Sequence, residues 1–141
     1  MQKRVYGEKI NIDTEKTKKL YDERAKNLSS MKNIYTSVLL GDQNPEYANE
    51  WNKIEKDLIL PYLNVQKESC VIDLGCGIGR WAETLMPLCN CYVGIDFSSE
   101  MVAVANKRLS SFVNEKKYFQ CGSVQSYLNP PPPRFFQNWL M

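Results

Sequence analysis

A glycine-rich turn beside two acidic residues is the part of this sequence best suited to chemistry. The apolar stretch 71–74 leads directly into the sequence Gly-Cys-Gly-Ile-Gly-Arg at positions 75–80. Glycines let the backbone turn sharply, and they let a ligand lie against bare main chain near the positive end of a following helix. The pattern predicts a site for a nucleotide-like cofactor.

Two acids separate the cofactor classes that use such a turn. Asp96 ends the next apolar stretch, seventeen positions after Gly79, where its carboxylate can accept hydrogen bonds from both hydroxyls of a ribose. Dinucleotide-binding enzymes require Gly-x-Gly-x-x-Gly, and Arg80 stands where the third glycine would be. Asp73 would also repel a pyrophosphate. These residues therefore favour a cofactor with a cation near Asp73 over a dinucleotide.

Strands must deliver both acids to the turn. The runs 70–74 and 91–95 are almost continuously apolar, which is typical of strands buried on both faces, and 118–121 predicts a shorter third strand. Helical patterns lie between them, at about 80–88 and after the serine pair 98–99, which supplies a cap. Strands that alternate with helices predict an α/β, Rossmann-like, doubly wound parallel sheet.

Two helices are predicted ahead of the sheet, at about 14–28 and 45–60, and Pro61 is expected to end the second. The pattern divides the chain into an N-terminal helical cap at 1–65, a cofactor-binding half domain at 66–128 and a proline-rich, aromatic tail at 129–141.

The tail determines how complete the predicted sheet is. Pro130 begins a run of four prolines, which cannot donate to a sheet ladder, so no fourth strand is predicted. The sheet is then incomplete, with about three strands, and the other edge of the first strand is unpaired. We expect self-association or a partner to cover that open edge.

Composition narrows the class of protein. The 141 residues are 43% apolar, and the net charge of +2 gives no reason to expect a nucleic-acid partner. No apolar run approaches the roughly 20 residues that cross a bilayer, and no signal-peptide pattern follows Met1, so a cytoplasmic protein without membrane contact is expected. Histidine is absent and the five cysteines lack Cys-x-x-Cys spacing, so buried free thiols and no metal site are predicted.

Two motifs together resemble those of class I S-adenosylmethionine-dependent methyltransferases. The sequence Asp-x-Gly-x-Gly-x-Gly at 73–79 looks like their motif I, and the stretch 94–98 with Met101 looks like motif II. This likeness covers roughly residues 66–125. The sequence Tyr-Asp-Glu-Arg-Ala at 21–25 is similar to the YDxxA element that many small-molecule members carry in an N-terminal cap helix.

The resemblance implies S-adenosylmethionine as the cofactor and assigns residues to its nucleoside. Asp96 would bind the ribose, and Phe97 and Met101 would sandwich the adenine. Ser123 stands where the family often has an acid that accepts a hydrogen bond from the adenine amino group, so this sequence departs from the pattern there.

The same resemblance assigns residues to the methionine part. Asp73 would face its ammonium, Arg80 or Arg24 would pair with its carboxylate, and Tyr21 would close over it. The remaining implied cofactor-binding residues belong to the glycine-rich turn and to motif II; they are Gly75, Cys76, Gly77, Gly79 and Ser98.

The implied function is methyl transfer from S-adenosylmethionine to a small-molecule acceptor. Such a transfer is an in-line displacement in which charge is lost, so the protein contributes mainly by placing the nucleophile and the methyl group in line. No general base is evident, and no catalytic residue is assigned. Two alternatives stay open. One is a C-terminally truncated, non-catalytic fragment that binds the cofactor. The other is an NAD-binding module, which Arg80 and Asp73 make less favourable.

Overall fold

A computed structural model describes residues 13–39 and 44–123 of the chain. The α-helices in these residues are α1 (Thr14–Lys26), α2 (Thr36–Leu39), α3 (Pro45–Leu63), α4 (Ala82–Leu85) and α5 (Ser99–Arg108). The strands there are β1 (Cys70–Leu74), β2 (Cys91–Asp96) and β3 (Lys117–Cys121). None of the described helices combines the length and the apolar character that crossing a membrane requires. The proline-rich tail lies outside the described residues.

The three strands form one parallel sheet in the order β1-β2-β3. Cys70 is the register partner of Cys91, and Leu74 is the register partner of Ile95. The predicted α/β, Rossmann-like sheet of about three parallel strands is confirmed. Among the described residues β1 has a neighbour only on its β2 side, which agrees with the expected open edge.

Burial differs sharply between the two strands that end in acids. All six residues of β2 are buried. On β1, by contrast, the side chains of Ile72 and Leu74 are 37% and 53% exposed. The prediction of burial on both faces is therefore right for β2 and wrong for β1, because β2 has a strand on each side and β1 forms the edge of the described sheet.

Local sequence explains where the two helices beside the site begin. The carboxylate of Asp13 accepts a hydrogen bond from the Lys16 N–H at 2.9 Å and so caps α1. The hydroxyl of Ser98 accepts from the Met101 N–H at 3.1 Å and caps α5 in the same way. Both caps satisfy backbone donors that a helix leaves unpaired at its start.

The predicted end of α3 at Pro61 is wrong. The helix continues to Leu63 and ends where Asn64 adopts a left-handed conformation with φ 45°. Pro61 stands in the last turn, where its missing N–H costs only one helical hydrogen bond and few further turns have to form. The helix predicted at about 80–88 is also shorter, because turns flank Ala82–Leu85 on both sides.

One pair of cysteines corrects the prediction of free thiols. Cys70 and Cys91 are joined by a disulfide, with their Cα atoms 4.5 Å apart. Parallel pairing brings these register partners side by side although 21 residues separate them along the chain. Cys76 and Cys89 are free and buried, as predicted, and Cys121 is free but exposed.

Helix α1 reaches the site through an apolar cluster. Ala25 of α1, Ile78 of the glycine-rich turn and Met101 of α5 are all buried in it. Burying such side chains contributes roughly 25 cal/mol per Å² of apolar surface. The cluster therefore holds α1 beside the carboxyl ends of the strands, where the acids lie.

Candidate functional site

A pocket of about 570 Å³ lies at the carboxyl end of β2, between the strand ends and the first turns of α1. Its volume is in the range of small-molecule sites, roughly 300–1,000 Å³. Its walls combine an acid, an aromatic ring, bare glycine backbone and polar side chains of α1. We call it the β2 pocket; its lining includes Thr17, Lys18, Gly75, Asp96, Phe97 and Ser123.

Backbone donors orient the carboxylate of Asp96. The Gly77 N–H donates to Oδ2 at 2.8 Å, and the Ser98 N–H donates to Oδ1 at 2.9 Å. A carboxylate offers about four acceptor positions, so each oxygen can accept a further hydrogen bond. Burial raises the pKa of Asp96, and the two N–H donors oppose that rise. The pocket wall thus carries a pair of oriented acceptors.

Two glycines of the turn have different tasks. Gly75 and Gly77 both have positive φ, 78° and 52°. A Cβ built on Gly75 would meet nothing within 4 Å, whereas one on Gly77 would lie 2.8 Å from Cγ1 of Val38 in α2. Gly75 therefore presents bare main chain to the β2 pocket, and Gly77 allows α2 to pack closely against the turn.

Four of the sequence-predicted residues meet in the β2 pocket. Gly75, Asp96, Phe97 and Ser123 all line it. Tyr21 lies beside them, since its ring meets that of Phe97 edge-on with centroids 6.1 Å apart. An aromatic ring, two oriented acceptors and bare backbone in one cleft suit a ribose and a flat base.

Other predicted residues lie beneath the pocket and support it. Ser98 and Met101 are almost fully buried, at 0% and 1% exposure. Gly79 packs against α5, where a Cβ would lie 2.8 Å from Cδ1 of Leu109. Cys76 is buried as well, and burial raises the pKa of its thiol. These four residues are not part of the lining of the β2 pocket.

The acid at the end of β1 lines a different pocket. Asp73 belongs to a cavity of about 420 Å³ that also includes Ile72 and Trp81, beside the open edge of β1. The hydroxyl of Tyr92 donates a hydrogen bond to its carboxylate. Burial raises the pKa of Asp73, and the Tyr92 hydrogen bond and the charge of Arg80 oppose the rise. The structure therefore separates the two predicted acids.

The two predicted arginines are held by neighbouring helices. Arg80 forms an ion pair with Glu55 of α3 at 2.9 Å, and its guanidinium lies 5.4 Å from the ring centroid of Trp81. Arg24 donates to backbone carbonyls of α2, to Thr36 at 2.6 Å and to Ser37 at 3.0 Å. In this arrangement Arg80 lies on the Asp73 side of the glycine-rich turn, and neither arginine lines the β2 pocket.

Sequence analysis missed a charged cluster that supports the turn. Glu83 accepts hydrogen bonds from Lys56 at 2.6 Å, from Tyr35 at 2.7 Å and from Arg108 at 2.7 Å. Arg108 also donates to the carbonyl of Ile78. Burial raises the pKa of Glu83, but the Lys56 and Tyr35 donors outweigh it, and the net shift is downward. No local pattern could reveal this cluster, because its members come from distant segments.

Sequence analysis named Tyr21 and Arg24 of α1 but missed the α1 residues that line the pocket. Thr17 and Lys18 line it, and Asp22 accepts a hydrogen bond from the hydroxyl of Ser98 at 2.5 Å. The hydrogen bonds from Lys18 and Ser98 hold the pKa of Asp22 below its usual range. The signal available in the sequence was the Tyr-Asp-Glu-Arg-Ala element at 21–25. This element contains Asp22 but does not predict which residues Asp22 contacts.

Comparison with known proteins agrees with the motifs. A family model described as a methyltransferase domain matches residues 71–137. A malonyl-[acyl-carrier protein] O-methyltransferase from a Marinomonas species is 31% identical over 80 residues, which are 54% of this chain. The chain spans 28% of the length of that relative.

Solved structures share the fold. Phosphoethanolamine N-methyltransferase 1 of Haemonchus contortus, in complex with phosphoethanolamine and S-adenosylhomocysteine, superposes with a TM-score of 0.58 at 20% identity, over 79% of this chain and 22% of that one. A SAM-dependent methyltransferase from Anabaena variabilis gives a TM-score of 0.51 at 18% identity, over 86% of this chain and 44% of that one. At such identities the likeness shows the fold.

Proposed function

We propose that this chain, whose residues 71–137 match the methyltransferase-domain family model, binds S-adenosylmethionine in the β2 pocket and serves methyl transfer to a small-molecule acceptor. The observation that carries the proposal is the oriented carboxylate of Asp96 in a cleft that also contains Phe97 and Gly75. A ribose has two adjacent hydroxyls, and such a carboxylate can accept a hydrogen bond from each of them.

The nucleoside fits the chemistry of this pocket. Asp96 would accept from the ribose hydroxyls with the acceptor positions that Gly77 and Ser98 leave free. Phe97 would contact the adenine face, and Ser123 would stand at its edge. Lys18 of α1 lines the same pocket and would close it on the solvent side.

The methionine part requires the residues on the other side of the turn. Asp73 is partly buried and has a raised pKa, which a bound ammonium would lower again. Arg80 lies near Asp73 and would supply the positive charge that a carboxylate needs. The pair thus offers both charges that an amino-acid end group requires.

When bound, S-adenosylmethionine supplies an electrophilic methyl group on a positively charged sulfur. The chain's own residues would orient it and exclude water, because an in-line displacement needs placement more than proton transfer. The chain contains no histidine, the commonest general base. The proposal of a small-molecule acceptor rests on the likeness of residues 21–25 to the cap-helix element and on the small molecule bound in the Haemonchus structure.

A second candidate function is cofactor binding without turnover. It is favoured by the exposure of Leu74 and Ile72 on β1, since the described residues build no acceptor side next to that strand. In an open α/β sheet the ligand crevice lies where the strand order reverses, on that side of the first strand.

Calorimetric titration with S-adenosylhomocysteine and with NAD tests the proposal. We expect saturable binding of S-adenosylhomocysteine and at least tenfold weaker binding of NAD. Transfer of a labelled methyl group to added small-molecule acceptors then separates the two candidate functions. Tighter binding of NAD, or no binding of S-adenosylhomocysteine by a chain with a cooperative unfolding transition, would overturn the cofactor assignment.

A further inference from the structure

One polar contact joins α1 to the end of β2. The Ser98 hydroxyl donates to Oδ1 of Asp22 at 2.5 Å, although 76 residues separate them along the chain. Lys18 donates to the other oxygen, Oδ2, at 2.8 Å. Asp22 is therefore held from two sides, by its own helix and by the residue that caps α5.

Ser98 is not accessible to a ligand. Its side chain is 0% exposed, its hydroxyl donates to Asp22, and the same hydroxyl accepts from the Met101 N–H. Its backbone N–H donates to Oδ1 of Asp96. Although the sequence motif placed Ser98 among the cofactor contacts, its hydrogen bonds instead connect neighbouring parts of the protein to one another.

These contacts form a continuous hydrogen-bonded path. It runs from Asp22 through Ser98 to Asp96, and from the Asp96 carboxylate to the Gly77 N–H at 2.8 Å. The path connects α1, the start of α5 and the glycine-rich turn. A shift of α1 would therefore change the position of the Asp96 carboxylate, which faces the β2 pocket.

We infer that Asp22 and Ser98 form a latch that holds α1 against the β2 pocket and orients Asp96 for the cofactor. They are positioning residues, since they act through Asp96. The inference rests on the proposed function, because the ligand that Asp96 receives is the ribose of S-adenosylmethionine.

The chain contains a matched pair without the latch contact. Lys53 and Asp57 on α3 have the same spacing as Lys18 and Asp22 and a similar distance, 2.7 Å against 2.8 Å. The Asp57 side chain is 64% exposed, whereas that of Asp22 is 18% exposed. Asp57→Ala therefore removes an equivalent helical ion pair that does not line the β2 pocket.

The test compares Asp22→Ala, Ser98→Ala, the double variant and Asp57→Ala by calorimetric titration with S-adenosylhomocysteine. We expect each latch variant to bind about tenfold more weakly than the wild type, and Asp57→Ala to bind equally well. The double variant should be no weaker than the worse single variant, because both remove the same contact. Asp22→Asn keeps an acceptor oxygen and should regain most of the affinity.

Hydrogen exchange on the wild-type chain provides a measurement that needs no variant. Saturating S-adenosylhomocysteine should slow exchange in α1 at least fivefold and leave α3 unchanged. Unchanged exchange in α1 on binding, or equal affinities for Asp22→Ala and Asp57→Ala, would overturn the latch alone. Failure of the wild type to bind S-adenosylhomocysteine would overturn the proposed function, and the latch with it.

Discussion

The two acids at the ends of neighbouring strands have opposite surroundings. Asp96 accepts from two backbone N–H groups and faces a pocket closed by α1. Asp73 accepts from the Tyr92 hydroxyl and faces a cavity beside the open edge of β1. The described residues therefore surround the β2 pocket from both β2 and α1, whereas they place no strand beyond β1.

The register partners on the two strands show the same contrast. Leu74 of β1 is 53% exposed, and its partner Ile95 of β2 is 1% exposed. Two apolar residues of α3 that line the cavity beside β1, Ile59 and Leu63, are 38% and 43% exposed. The expectation that a second copy or a partner covers this side remains a prediction.

Truncating the two register partners gives the largest expected difference. Ile95→Ala should lower the free energy of unfolding by about 3 kcal/mol, because it leaves a cavity in the centre of the sheet. Leu74→Ala should lower it by about 1 kcal/mol or less, because that side chain is half in water. Urea denaturation of both variants measures the difference. Equal losses would mean that the β1 side is covered in solution.

Substitution of the two turn glycines should have a smaller effect. Gly77→Ala adds both left-handed strain and a contact of 2.8 Å with Val38, and we expect it to lower the free energy of unfolding by about 2 kcal/mol. Gly75→Ala adds strain only, about 1 kcal/mol, but puts a methyl group into the β2 pocket. Gly75→Ala should therefore reduce the affinity for S-adenosylhomocysteine more than it reduces the free energy of unfolding. Unchanged affinity in Gly75→Ala would place the ligand elsewhere.

The pH dependence of binding should give the smallest effect, a several-fold change. In the proposed site the ribose requires ionised Asp96, whose pKa is raised by burial. The negative charge of Asp22 adds to this rise, and the charges of Asp73 and Asp96 also disfavour each other's ionisation. Affinity for S-adenosylhomocysteine should therefore fall as the pH drops through that raised pKa, above the ordinary aspartate value of about 3.9. Titrations between neutral and mildly acidic pH measure the fall. If Asp96→Asn retains the same fall, Asp73 is its source.

The residues that the sequence predicted well are those whose signals are local. The glycine-rich turn, the buried strand that ends at Asp96 and the cap at Ser98 each depend on a few adjacent residues. Steric limits and strand burial act over that same short range. The predicted helix end at Pro61 was wrong because a proline in the last turn of a helix costs too little free energy to end the helix there.

The residues that the sequence could not place depend on contacts between distant segments. Cys70 meets Cys91 only once the strand register is known. Asp22 meets Ser98 only once α1 packs across the strand ends, and Glu83 gathers its partners in the same way. Such contacts follow from packing, which one sequence does not reveal.

The most direct test of the account is titration of Asp96→Asn and Asp73→Asn with S-adenosylhomocysteine, beside the wild type. Asp96→Asn keeps the size of the side chain but loses the carboxylate that would accept hydrogen bonds from the ribose hydroxyls. Its affinity for S-adenosylhomocysteine should therefore fall about thirtyfold. The affinity of Asp73→Asn should fall less, about fivefold, because Asp73 lies outside the β2 pocket that receives the nucleoside in this proposal. Unchanged affinity in Asp96→Asn, or a larger loss in Asp73→Asn, would contradict the assignment of the nucleoside to the β2 pocket.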